Sequence, residues 1–167
     1  MELLKYLKMK KYRRWLIFSS FLLIFGLWLM GVTGKYADNV AGPPLNDIIL
    51  DHLPVINLST FYVYLYLLLL IFLILYPALF YPEKLPITVF TVALVAILRA
   101  IFIAMTHLGP PIEDVQLTLT GLPQFIKGLY FNADLFFSGH VAIPLLGFFL
   151  FKNRKIKWFW LFASLLE

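Results

Sequence analysis

Residues 134–140 read Asp-Leu-Phe-Phe-Ser-Gly-His, setting a hydroxyl, a glycine and an imidazole side by side at the mouth of an apolar run, residues 135–151. A histidine inside a membrane helix is costly to insert, which makes His140 a functional candidate by default. Its ring exchanges a proton near neutral pH, as a general acid or base must. Ser138 offers a hydroxyl, and Gly139 a permissive backbone beside the donors of a helix N-terminal turn. Arg99 lies within another apolar run, and its planar fork can hold two phosphate oxygens where lysine offers one point charge. An acid next to a bidentate cation is equipment for chemistry on a phosphate ester.

Each of these residues has a plainer explanation. Arg99 can snorkel to an interface, Ser138-Gly139 can serve helix packing, and His140 can be a structural hydrogen-bonder. His52 and His107 fall in polar loops and read as solvated. Asp47, Asp51 and Asp134 read as loop or cap residues, with a possible loop contribution to the site from Asp47, Thr106 and Asp134. The ligands needed for zinc do not converge in this pattern, so no metal and no cofactor is expected.

The elements that must position these groups are membrane helices. The chain is 62% hydrophobic with a mean hydropathy of +0.87, far above a soluble domain. Seventeen Phe and nine Tyr suit bilayer interfaces. At 167 residues it is one bundle. Without cysteine, disulfides and thiolate metal sites are excluded. The net charge of +5 does not point to nucleic acid, because no binding module accompanies it. Lys5, Lys8, Lys10, Lys11, Arg13 and Arg14 form one basic cluster and residues 152–157 another, both abutting apolar runs. That is the pattern of a cytoplasmic face, in reach of anionic headgroups.

In chain order, residues 15–32 are expected to be the first span, too long for a signal-peptide core and with its N-terminus inside. Residues 34–57 form an outer loop, broken at Pro43 and Pro44, with a short surface helix capped at Asn46-Asp47. The second span is 61–80, closed by Pro77 and Pro82. A tight inner turn, 81–86, leads to the third span, 87–105. A second outer loop, 106–134, precedes the fourth span, 135–151, and a fifth apolar run opens at Trp158. The expected class is an all-α, polytopic transmembrane helix bundle forming one domain over 1–167. At helical rise Arg99 lies about 9 Å below the outer end of its span and His140 about 7–8 Å below its own. Guanidinium and imidazole then share one level if the two helices face each other.

These residues also resemble a family. Ser138-Gly139-His140 is similar to the second signature of the type 2 phosphatidic acid phosphatase superfamily, usually Pro-Ser-Gly-His, with Phe137 in the proline's place. The sphingomyelin synthase branch also lacks that proline, and the stretch from Asp134 to His140 resembles its form. Arg99, seven residues later Thr106, then Leu108 and Pro110 resemble the same branch's pattern. Gly42-Pro43-Pro44-Leu45-Asn46-Asp47 resembles its Pro-Pro-Leu-Pro-Asp loop, with Asn46 replacing a proline.

The resemblance implies a six-helix core, here four spans and part of a fifth, with an active site facing the exoplasmic or lumenal side. It implies transfer of a phospho-headgroup from a membrane phospholipid to a lipid alcohol through a phosphohistidine. His140 would be the general acid, Arg99 the phosphate clamp, and Ser138 and Gly139 oxyanion donors. Two departures stand out. No His-x-x-x-Asp nucleophile motif follows His140, and the wider superfamily's lysine, seven residues before its arginine, is Val92 here. The first implies an N-terminal portion, inactive alone. The second favours the synthase branch over a lipid phosphate phosphatase. A non-catalytic membrane protein binding an anionic lipid is the remaining alternative, and the gene's sequence past Glu167 would separate these readings.

Overall fold

A computed structural model describes residues 2–43, 59–106, 109, 131 and 137–166. The elements are α1 (Glu2–Lys8), α2 (Lys10–Val40), α3 (Ser59–Phe80), a 3-10 turn (Pro82–Lys84), α4 (Leu85–Met105), α5 (Gly139–Leu150) and α6 (Arg154–Leu166). The chain is an all-α helix bundle. Among the described residues, three segments, Lys10–Val40, Phe61–Phe80 and Pro82–Met105, are long and apolar enough to cross a membrane. Large side chains such as Phe21, Ile24, Trp28, Leu68 and Leu79 point outward from them. That outward apolar surface suits acyl chains and not water, and the protein is an integral membrane protein.

α2 and α4 run parallel in close contact. Tyr12 Oη donates to the Pro82 carbonyl at 2.8 Å, and Trp15 and Phe18 each meet the Phe90 ring at 6.4 Å. Further along, a Cβ on Gly26 would stand 3.1 Å from Ala96 Cβ and 3.3 Å from the Ala93 carbonyl oxygen. Without strong hydrophobic driving force in lipid, small residues of this kind let backbones approach and gain dispersion contacts.

The first span is longer than the apolar run 15–32: α2 continues to Val40, and the loop opens at Ala41. The added turns are helical because they have inward partners. Ala37 is fully buried beside Ile103, Gly34 lies under the Phe131 ring, and the Thr33 hydroxyl bonds back to the Leu29 carbonyl at 3.0 Å. Lys35 and Asp38 therefore belong to a helix and not to the outer loop.

α3 returns antiparallel to α2 and α4. Pro77 sits inside it and does not close it. The bonding resumes past the proline, with the Tyr81 amide donating to the Pro77 carbonyl at 2.9 Å, as membrane helices tolerate. Pro82 then opens the 3-10 turn.

α5, in place of the expected fourth span, starts at Gly139 and not at residue 135. Ser138 is extended at φ −62 and ψ 115 and takes the N-cap position, while its carbonyl accepts the first helical bond from the Ala142 amide at 3.1 Å. α6 begins at Arg154, four residues ahead of the apolar run, because Asn153 caps it: its Oδ1 accepts from the Lys155 amide at 3.0 Å. α6 turns back along α5, pressing Trp160 onto Gly147. Trp160 is fully buried and stacks on Phe72 at 5.5 Å and on Phe151 at 6.1 Å. With Leu69, Leu73, Val92 and Ile143 it forms the main core.

These contacts sort the bundle's ends. Tyr76 meets Tyr81 at 5.7 Å and Phe151 at 5.1 Å, so both basic clusters and the Pro82–Lys84 turn gather at one end. The helix starts and ends carrying Arg99 and His140 lie towards the other.

Candidate functional site

Arg99 is carried by α4 two turns before its end, and Gly139 is the first residue of α5. The two touch. A Cβ added to Gly139 would stand 2.6 Å from Arg99 Nη1 and 3.2 Å from Cζ. No side chain fits there without moving the guanidinium, so the glycine is the seat of the arginine. Arg99 and His140 thus share a level, as the helical-rise reckoning expects. One part of that reckoning changes: His140 lies in the first turn of its helix, not five residues into it.

That position has a chemical consequence. The first amides of a helix have no intrahelical acceptor, and the dipole's positive end lies there. The first turn of α5 and the Arg99 cation therefore converge on the same place, as anion sites at helix starts do. Ser138 is exposed, and its side chain makes no capping bond, leaving the hydroxyl available for a ligand.

His140 Nε2 is buried and has no hydrogen-bond partner among the described residues. The Tyr66 ring covers the imidazole, with centroids 4.7 Å apart and planes inclined by 51°. On the other flank Phe137 meets Phe102 edge-on at 5.8 Å. Phe102 is three residues beyond Arg99, hence on the same side of α4. This contact ties the approach to Ser138 onto the helix that carries the arginine.

The other sequence candidates divide. Thr106 caps α4, its Oγ1 donating to the Phe102 carbonyl at 2.9 Å; it closes the helix and is not brought against Gly139. Asp47, Asp134, Asp51, His52 and His107 lie outside the described residues. Two of the stretches that resemble the synthase branch do meet. A Cβ on Gly109 would overlap the Gly42 carbonyl oxygen and come within 2.7 Å of the Pro43 carbonyl, so only glycine lets these loops pass.

Two neighbours of the site went unseen in the sequence. Tyr66 is one of three alternating tyrosines, 62, 64 and 66, and only helix rotation tells which faces inward. Ser164 donates from Oγ to the Val141 carbonyl at 3.3 Å, bringing the last turn of α6 to the level of His140. No family model, curated protein or solved structure matches the chain.

Proposed function

We propose that this chain carries the acid-and-clamp half of a lipid phosphotransferase of the sphingomyelin synthase type. The observation that carries the proposal is the seating of the Arg99 guanidinium on Gly139, one residue from His140. In this scheme two phosphate oxygens of a phospholipid lie in the Arg99 fork, against the first amides of α5 and the Ser138 hydroxyl. His140 gives its proton to the leaving oxygen and later takes one from the attacking hydroxyl of a lipid alcohol. The phosphoryl group rests between these steps on a nucleophilic histidine, and no His-x-x-x-Asp occurs in the 167 residues. The 167-residue chain therefore binds donor lipid without turning it over.

The basic clusters would lie in the cytoplasm by the positive-inside rule, which puts the Arg99–His140 end at the exoplasmic or lumenal leaflet. The phosphatase alternative shares every group named here and differs in letting water take the phosphoryl group.

The test is phosphorus NMR of a short-chain phospholipid titrated with the chain in detergent. Saturable binding is expected, weakened about tenfold or more in Arg99→Ala, as loss of a charged phosphate contact implies, and unaffected by diacylglycerol, which has no phosphate. Equal binding by Arg99→Ala would overturn the clamp. Headgroup transfer to diacylglycerol or ceramide by the 167 residues alone would overturn the division of labour.

A further inference from the structure

The basic end of the bundle holds a second site, unrelated to Arg99. α1 and α2 are separated at Met9, which is extended at φ −76 and ψ 118. This break turns α1 across the foot of the bundle to meet the Pro82–Lys84 turn. The contact is held by Tyr12, whose hydroxyl bonds Pro82 and whose ring meets Tyr6 at 5.4 Å. Between α1, the start of α2 and the start of α4 a groove of about 400 Å³ opens, within the range of about 300–1,000 Å³ usual for small-ligand sites.

Its wall is almost wholly apolar, supplied by Tyr6, Met9, Trp15, Pro86 and Ile87, while Lys11 stands at the lip with Glu83 as the one acid. Lys11 and Glu83 balance within the lining. Beyond it, Lys8, Lys10, Arg13 and Arg14 of the same segment are exposed and Lys84 lies over the Tyr81 ring at 5.2 Å, which makes this end of the bundle positive as a whole. An apolar slot with Lys11 in its lining and a basic segment beside it, at the level where membrane-spanning helices end, has the amphiphilic order of one lipid molecule: chain within, charged headgroup above. α1 has the composition of an interfacial helix, Leu3, Leu4 and Leu7 alternating with Lys5 and Lys8.

From this juxtaposition we infer that the groove is a binding site for an anionic phospholipid of the adjoining leaflet, its acyl chain on Trp15 and Ile87 and its headgroup phosphate on Lys11. Zwitterionic lipids fill the slot less well, because their own cation meets the lysines. The site serves to set the foot of α1 and α2 in the membrane and is independent of phosphotransfer.

The test uses the full chain in phosphatidylcholine bilayers with a small fraction of lipid brominated on the acyl chain, which quenches tryptophan on contact. Brominated phosphatidylglycerol is expected to quench Trp15 more than brominated phosphatidylcholine at equal fraction, and Trp15→Phe removes the difference. Lys11→Gln should cut the preference about fivefold, the weight of one lysine at an anionic surface. Lys155→Gln, exposed at the same end outside the groove, should leave it. Equal quenching by the two lipids overturns the site, as does an equal loss in Lys155→Gln, which would mean diffuse charge. Displacement by glycerol phosphate, which has no chain, would assign the lysines to a free anion and overturn the lipid.

Discussion

Tyr66 and His140 meet ring to ring across the α3–α5 contact, 4.7 Å between centroids, although 74 residues separate them in the chain. An imidazole has two flat faces and two nitrogens, and its use as an acid depends on which nitrogen points where. The Tyr66 ring, inclined by 51°, leans against the imidazole and limits its rotation.

Tyr66→Phe keeps the ring contact and should hold His140 as it is. Tyr66→Leu loses the aromatic term, about 0.5–1.5 kcal/mol beyond area burial, and frees the imidazole to rotate. The check is His140 ring NMR in detergent micelles, where Tyr66→Leu should broaden or split the ring resonances and Tyr66→Phe should not. Identical spectra from the two variants would show that the tyrosine ring does not hold the histidine.

Two glycines allow a matched comparison. Gly139→Ala puts a methyl 2.6 Å from Arg99 Nη1, so the guanidinium must leave its seat. The end of that flexible side chain can give way at little cost in stability, so phospholipid binding should fall while unfolding changes little. Gly31→Ala meets nothing within 4 Å and replaces a poor helix former in α2, by about 1 kcal/mol on the peptide scale. Binding should therefore fall for Gly139→Ala and hold for Gly31→Ala, and thermal unfolding of Gly31→Ala should stay or rise. A Gly139→Ala protein that binds as well as its parent would mean that Arg99 is not held where it sits.

The contrast between these glycines marks what a sequence can tell. Hydropathy made the bundle and its membrane class legible, because apolar runs of about 20 residues have few other uses. Ser138-Gly139-His140 and Arg99 were legible as candidates because polar groups in such runs are costly. Their shared level was expected from helical rise on the condition that the two helices face each other, although the depth reckoned for His140 took its helix to begin four residues too early. What the runs could not tell was where helices truly end. Hydropathy drops at Thr33, yet α2 continues because Ala37 finds Ile103, a partner 66 residues away. α5 starts late because Ser138 adopts a cap conformation, and Pro77 is absorbed within α3 because the bonding resumes at Tyr81. Tyr66 was hidden among equivalent tyrosines. Each of these is decided by tertiary contact, which no local window contains.

Trp160 carries the last prediction, because its burial and its polarity oppose each other. The side chain is fully buried between Phe72, Phe151 and Gly147, and its Nε1 has no hydrogen-bond partner among the described residues. Truncation to alanine removes the centre of the core and should cost about 3–5 kcal/mol. Phenylalanine also loses volume but removes a buried N–H whose desolvation is itself worth about 1–3 kcal/mol. The two terms offset, so Trp160→Phe should fall within about 1.5 kcal/mol of the parent, the usual limit for tolerated core swaps. Gly147→Ala, which drives a methyl into the indole, should instead resemble the alanine truncation in direction. Unfolding of the three variants in one detergent gives the order directly. If Trp160→Phe is as damaging as Trp160→Ala, the indole N–H contributes to stability through a partner, and the centre of this core is polar where it is taken here to be dry.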